Sequence, residues 1–107
     1  MPRWLPRLLR RIHELAGQGR VRFTLKALRE LAALGAGLDV QDACDVLAAL
    51  TGDDFIGRLE SERTGEWMDA FKPAVAGTVV YVKLVVRSDG MVVSFHEDEG
   101  EDDEERP

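Results

Sequence analysis

The segment TVVYVKLVVRSDGMVVSFH, residues 78–96, decides the fold of this chain. Apolar side chains alternate through residues 78–87 and again through residues 91–96, which predicts two β-strands. Ser88-Asp89-Gly90 separates them, and an Asp-Gly pair tolerates the positive φ angles that a hairpin turn requires. The segment therefore predicts a β-hairpin with one apolar and one polar face.

The two faces of this hairpin differ in chemistry. We expect the apolar face to carry Val80, Val82, Leu84 and Val86 from the first strand and Met91, Val93 and Phe95 from the second. The opposite face then carries Val79, Tyr81, Lys83, Val85 and Arg87 with Val92, Ser94 and His96. Matching the apolar faces places Ser94 and His96 beside Tyr81 and Lys83.

Three helices are predicted before the hairpin. Apolar residues recur at helical spacing in residues 4–16, Thr24 is a candidate N-cap for a second helix, and Asp39 is a candidate N-cap for a third. Glycines end the first two helices, and a short extended stretch, residues 20–23, lies between them.

Two further strands are predicted between the third helix and the hairpin, at residues 55–63 and 67–72. In the second of them we expect Trp67 and Phe71 to face the core, with Asp69 between them, and Met68, Ala70 and Lys72 to lie on the open face. Helices come first and strands last, which predicts an α+β fold with N-terminal helices packed on one face of a C-terminal antiparallel sheet.

Charge divides the chain into two parts. Residues 97–107 contain eight acidic residues and one arginine, which leaves 12 acidic and 13 basic residues in the rest. A run of like charges without apolar residues buries too little surface to offset its ordering entropy. We therefore expect a single domain over residues 1–96 and a disordered acidic tail over residues 97–107.

Composition favours a cytoplasmic protein without a membrane segment. Cys44 is the sole cysteine, so an internal disulfide is excluded. Arginines interrupt the apolar residues at the N-terminus, and the longest apolar stretch, residues 79–86, is broken by Lys83 and is too short to span a bilayer.

The polar sheet face carries the parts that metal-independent RNA cleavage needs. His96 can act as an acid or a base near neutral pH, and Tyr81 lies beside it. Arginine and lysine bind phosphate, and the candidates are Lys83, Lys72 and Arg87, with Arg58 and Arg63, whose facing the pattern leaves open. An ordinary exposed histidine and a cross-strand packing tyrosine fit the same pattern, so the residues permit a ribonuclease without requiring one.

Residues 20–96 resemble the MqsR family of toxins from bacterial toxin–antitoxin systems. The resemblance lies in GRVRFTLKAL (19–28), LGAGLDVQDACDVLAAL (34–50), DDF (53–55), WMDAFKP (67–73), VYVKLVV (80–86) and MVVSF (91–95). It implies a RelE-like α+β fold and a ribosome-independent endoribonuclease that cuts mRNA without a cofactor and so stops translation. It also implies an antitoxin partner, which in the best-known pair is a zinc-containing protein with a DNA-binding domain.

The resemblance transfers only part of the family's site. The sheet tyrosine matches Tyr81 and the following lysine matches Lys83, whereas a lysine of the family pattern falls at His96. A glutamine of that pattern falls at Met68, and another lysine falls at Gly57, next to Arg58. In this assignment His96, Tyr81 and Arg58 are catalytic, and Lys83, Arg63, Lys72 and Arg87 bind RNA.

The altered positions leave two hypotheses open. The first is an active mRNA-cleaving toxin, and the second is a catalytically degraded homologue that binds an antitoxin or RNA. The acidic tail adds a further hypothesis, because it follows His96 directly and its charges can compete with RNA for the basic face. A tail that only increases solubility is the alternative.

Overall fold

The computed structural model describes residues 2–35 and 37–98. Its helices are α1 (Leu5–Gly17), α2 (Leu25–Ala33) and α3 (Val40–Ala48), with a 3-10 turn at Gly52–Asp54. Its strands are β1 (Val21–Phe23), β2 (Phe55–Glu60), β3 (Trp67–Phe71), β4 (Ala74–Val75), β5 (Thr78–Val86) and β6 (Gly90–Glu97). The predicted α+β fold class is confirmed.

Side-chain caps define where two of the helices begin, as the sequence predicts. The Thr24 hydroxyl accepts a hydrogen bond from the Ala27 N–H (3.0 Å) at the start of α2. At the start of α3, Asp39 accepts from the Asp42 N–H and Asp42 accepts from the Asp39 N–H, each at 2.9 Å. Each cap satisfies main-chain donors that the helix itself leaves without an acceptor.

The sheet is mixed, not wholly antiparallel. Its strand order is β1-β6-β5-β3-β2, and β4 pairs separately with β5. β2, β3, β5 and β6 are antiparallel neighbours as predicted, but β1 runs parallel to β6. The prediction of an antiparallel sheet is wrong at this edge, because the long connection from β1 to β6 can return the chain in the same direction.

The helices cover one face of the sheet. Ile12 of α1, Ala27 of α2 and Leu47 of α3 pack in one buried cluster with Phe71 of β3 and Phe95 of β6. The same cluster contains Val80, Val82 and Leu84 of β5, the residues predicted to face the helices. The opposite face of the sheet, which we call the open face, carries the alternate residues of each strand.

A β-bulge changes the facing of residues in β6. Tyr81 pairs with His96 and Lys83 with Ser94, but Leu84 pairs with Val92, so the register shifts at Val93. The bulge adds one residue on β6, and as a result Val92 and Phe95 both belong to the core. The prediction that Met91, Val93 and Phe95 share a face is wrong, because strict alternation does not hold across a bulge.

Two boundaries differ from the predicted ones. β2 ends at Glu60 instead of residue 63, and the Ser61 N–H donates to the Glu66 carbonyl (2.7 Å) across the turn that follows. β6 continues to Glu97, and the Asp98 N–H donates to the Val79 carbonyl (2.8 Å). The first two residues of the predicted tail therefore belong to the folded domain, and the remainder, residues 99–107, lies outside the described residues.

The helices α1, α2 and α3 contain 13, 9 and 9 residues. Within residues 2–35 and 37–98, none of them combines the length and the apolar character that crossing a bilayer requires.

Candidate active site on the open face

Tyr81 and His96 are neighbours on the open face. They are directly paired residues of β5 and β6, and their ring centroids are 5.3 Å apart with 32° between the ring planes. Both side chains are partly buried. The predicted juxtaposition of these two rings is therefore present.

The hydrogen bond of His96 determines which ring nitrogen can meet a ligand. His96 Nδ1 lies 2.9 Å from the carbonyl oxygen of Glu97. A carbonyl only accepts hydrogen bonds, so this contact requires a proton on Nδ1. Nε2 is then the nitrogen that can accept a proton from a ligand when the ring is neutral, or donate one when the ring is charged.

Lys83 and Ser94 form the next pair of β5 and β6 on the open face. Lys26 of α2 joins them, because its Nζ donates to Ser94 Oγ (3.1 Å). Burial lowers the pKa of Lys83, and the positive charge of Lys26 lowers it further, while Glu30 opposes this effect. Two lysines therefore converge beside the Tyr81–His96 pair.

A cleft of about 360 Å³ opens beside these residues on the open face. Four basic side chains line it, namely Lys26, Arg63, Lys83 and Arg87, together with the acidic side chain of Glu66. Arg87 binds that carboxylate, with 2.7 Å between Arg87 Nε and Glu66 Oε2. Met68, Val85, Met91 and Val93 supply apolar surface. The cleft thus combines positive charge with surfaces on which a planar base can rest.

Lys72 lies on the Tyr81 side of this face and is engaged by an acidic residue. Lys72 Nζ is 3.4 Å from Asp98 Oδ1. Burial raises the pKa of Tyr81, and of the two nearby charges Lys72 lowers it while Asp98 raises it. The phenol is therefore held in its protonated form, which can donate a hydrogen bond.

Arg58 does not join this group. It pairs with Asp69 in the register of β2 and β3, and Asp69 pairs with Leu84 of the core. The Arg58 guanidinium lies 4.0 Å from the ring centroid of Trp4, the residue before α1. Arg58, predicted to be catalytic, is therefore on the helix-covered face, whereas Tyr81 and His96 are on the open face. Trp67 occupies the rim of that face and is 55% exposed, contrary to its predicted core position.

The three positions at which the sequence resemblance implies other residues all lie on the open face. Gly57 pairs with Ala70, which in turn pairs with Lys83, and a Cβ added at Gly57 would meet no atom within 4 Å. Met68 lines the cleft beside Lys83. Residues 57, 68 and 96 thus belong to the same surface.

Comparison with known proteins identifies the family of this chain. A family model described as "Motility quorum-sensing regulator, toxin of MqsA" matches residues 7–97. The chain is also 35% identical over 91 residues to the mRNA interferase toxin MqsR of Escherichia coli (strain K12). The aligned region covers 83% of this chain and 90% of that protein. This chain belongs to the MqsR toxin family. The resemblance read from the sequence is confirmed, and membership makes this MqsR family protein a toxin of a toxin–antitoxin system.

Sequence reasoning missed two residues of the site in this MqsR family protein, Lys26 and Glu30. Their i,i+4 spacing on α2 is visible in the sequence and predicts an ion pair. No local pattern, however, indicates that α2 lies against the edge of β6, which brings both side chains to the open face.

Proposed function

We propose that this protein is an endoribonuclease that cleaves mRNA without a ribosome and without a metal ion, and that a cognate antitoxin neutralises it. The observation that carries the proposal is the Tyr81–His96 pair beside a cleft lined by four basic side chains. The name of the Escherichia coli relative, an mRNA interferase toxin, supports the same activity.

The chemistry is an attack of the RNA on its own backbone. The 2′-hydroxyl loses its proton to a base, its oxygen bonds to the adjacent phosphorus, and the bond from phosphorus to the 5′-oxygen breaks. That oxygen takes a proton from an acid, which leaves a 2′,3′-cyclic phosphate and a 5′-hydroxyl. Proton transfer and stabilisation of the charge on phosphorus are therefore the two demands on the protein.

His96 is suited to proton transfer in this reaction. Its Nδ1–H is held by the Glu97 carbonyl, which leaves Nε2 for the substrate. In the neutral ring Nε2 takes the 2′-hydroxyl proton, and in the charged ring it protonates the 5′-oxygen. Both roles use the same nitrogen, so the geometry supports His96 as the general acid or the general base.

Tyr81 and the basic side chains meet the second demand. The raised pKa of Tyr81 keeps its hydroxyl protonated, so it can donate to a phosphate oxygen, while its ring can stack on a base. Lys83 and Arg63 line the cleft and can bind the phosphates on either side of the scissile bond. Arg87 and Lys72 can also bind phosphate if it displaces their carboxylate partners, Glu66 and Asp98.

The direct test uses purified protein, RNA and EDTA. We expect the wild-type protein to cleave RNA to 2′,3′-cyclic phosphate ends, and His96→Ala to lose at least about 100-fold in rate. Tyr81→Phe tests the phenol separately. His13→Gln is the matched control, because the other histidine contacts the Leu50 carbonyl through Nε2 (2.8 Å), away from this face. Intact RNA with the wild-type protein contradicts the enzymatic proposal.

A second function is favoured by two residues of the open face. Gly57 offers no side chain for phosphate, and Met68 offers no strong hydrogen-bonding group, at positions where the sequence resemblance implies a lysine and a glutamine. A protein of this kind can bind an antitoxin or RNA without cutting. Expression separates the two functions, since an active toxin arrests growth and a binding module does not. Relief of the arrest by the product of the adjacent gene would identify the antitoxin.

A further inference from the structure

Strand β6 changes its partner halfway along its outer edge. β1 pairs with β6 only at residues 90–92, and the Thr24 N–H makes a last hydrogen bond with the Val92 carbonyl (3.0 Å). The chain then turns into α2, which lies alongside the rest of β6. Main-chain groups on that part of the edge need other partners, since buried polar groups without hydrogen bonds are costly.

Two side chains of α2 supply these partners. Lys26 Nζ donates to the Val93 carbonyl (3.3 Å), and the Phe95 N–H donates to Glu30 Oε1 (2.9 Å). These are the groups that the next residues of a neighbouring strand would otherwise bind. The helix thus continues the hydrogen bonding of the sheet through the bulge at Val93, up to the residue before His96.

Lys26 and Glu30 also bind each other and the open face. Lys26 Nζ is 2.7 Å from Glu30 Oε2, so each carboxylate oxygen of Glu30 has a separate donor. Lys26 Nζ further donates to Ser94 Oγ (3.1 Å). The Glu30 side chain is only 22% exposed, and a carboxylate that accepts two hydrogen bonds at this depth is held more firmly than a surface pair.

Glu30 is also electrically coupled to the candidate catalytic histidine. Burial raises the pKa of Glu30, but the hydrogen bonds from Lys26 and Phe95 and the positive charges of Lys26 and His96 together lower it. The carboxylate is therefore ionised at neutral pH, and a positively charged His96 ring favours that form.

We propose that Glu30 is a positioning residue for His96, which it acts on through the Phe95 N–H and the Lys26–Ser94 contact. It holds the segment of β6 just after the bulge, and so keeps the His96 ring beside Tyr81 with Nε2 directed to the open face. This inference rests on the proposed role of His96 in RNA cleavage, because positioning affects the rate only if His96 transfers protons. Its geometric part can be measured without RNA.

The test compares Glu30→Ala, Glu30→Gln and the control Asp45→Asn. Alanine removes both the acceptor and the charge, whereas glutamine keeps an oxygen that can accept from the Phe95 N–H. Asp45 is a carboxylate on exposed α3 surface that accepts from Gln41 (3.1 Å), so its loss matches the change in charge at a distance from the site.

We expect Glu30→Ala to lower kcat for RNA cleavage by about 10- to 100-fold with KM changed by less than about threefold, since misplacing a reacting group mainly affects the chemical step. Glu30→Gln should recover part of kcat, and Asp45→Asn should equal the wild type. In NMR spectra of the protein alone, Glu30→Ala should accelerate exchange of the Phe95 amide and weaken the nuclear Overhauser effect between the Tyr81 and His96 rings.

Different results would refute the proposed ribonuclease activity and the positioning role of Glu30. Wild-type protein without ribonuclease activity, or a His96→Ala variant as active as the wild type, refutes the proposed function, while the NMR measurements still test the positioning. An unchanged Tyr81–His96 contact in Glu30→Ala overturns the positioning role even if activity falls. If Glu30→Ala does not fold, Glu30→Gln provides the test instead. A Glu30→Gln variant with faster exchange of the Phe95 amide, but with wild-type kcat and an unchanged Tyr81–His96 contact, would also overturn the positioning role.

Discussion

Arg58 and Asp69 form an ion pair on the helix-covered face of the sheet, with 2.8 Å between Arg58 Nε and Asp69 Oδ1. The Asp69 side chain is 3% exposed and the Arg58 side chain 32% exposed. The guanidinium also stacks on Trp4, with 4.0 Å between the guanidinium carbon and the ring centroid. The pair therefore belongs to the packing between α1 and the sheet, which separates it from the Tyr81–His96 pair.

Replacing Arg58 should affect stability and leave RNA cleavage by the folded protein intact. Arg58→Ala leaves the Asp69 carboxylate buried without its cation, so we expect a loss of about 2 to 3 kcal/mol in the free energy of unfolding, below the full cost for a completely buried pair. Urea denaturation measures this loss. Arg63→Ala is the matched control, since it should change stability by less than about 0.5 kcal/mol and weaken RNA binding. Unchanged stability of Arg58→Ala together with a loss of RNA cleavage would show that Arg58 belongs to the site.

Lys83 should contribute to RNA affinity through its charge. Lys83→Met keeps much of the apolar stem and removes the cation, so we expect weaker binding of a non-cleavable 2′-deoxy analogue at low salt. If Lys83 contacts one phosphate, the slope of log affinity against log salt should fall in magnitude by about 0.7, the value for a single strand. Fluorescence anisotropy across a salt series measures the slope. An unchanged slope would place Lys83 outside the RNA-binding surface.

The ionisation of Glu30 should make stability depend on pH in the acid range. The pKa of Glu30 in the folded protein is below its ordinary value of 4.5, because its hydrogen bonds and the nearby positive charges outweigh the effect of burial. A lowered folded pKa adds stability that is complete above pH 4.5 and is lost as the pH falls through the folded value. Glu30→Gln should therefore lose stability relative to wild type at pH 7, and the difference should shrink toward pH 3. Urea denaturation at several pH values gives the comparison, and a constant difference would contradict it.

The acidic tail should weaken RNA binding at low salt. Deleting residues 99–107 removes six acidic residues and one arginine, while Asp98 stays in place against Lys72. If the removed charges compete with phosphate for the basic cleft, the truncated protein should bind the 2′-deoxy analogue more tightly at low salt, and the gain should vanish at high salt. A variant with these acids changed to Asn and Gln separates charge from length. Equal affinity of the full-length and truncated proteins at low salt would leave the tail with no role in binding.

Local sequence patterns determined the elements of this fold and the main pair of its candidate site. Alternation in residues 78–96 and an Asp-Gly turn predict β5, β6 and the Tyr81–His96 juxtaposition, since both are set by neighbours along the chain. The caps at Thr24 and Asp39 are equally local and were predicted for the same reason.

Only the tertiary structure decided which other residues reach that pair. The bulge at Val93 has no glycine or proline to mark it, yet it reverses the facing expected for Val92 and Val93. Arg58 was assigned by proximity to Gly57 in the sequence, but side chains of successive strand residues point to opposite faces, and the register with Asp69 places Arg58 away from His96. Lys26 and Glu30 reach the open face because α2 lies along β6, a packing between segments more than 60 residues apart. Alternation and capping are short-range effects that the chain carries locally, whereas register, bulges and helix placement depend on how distant segments pack together.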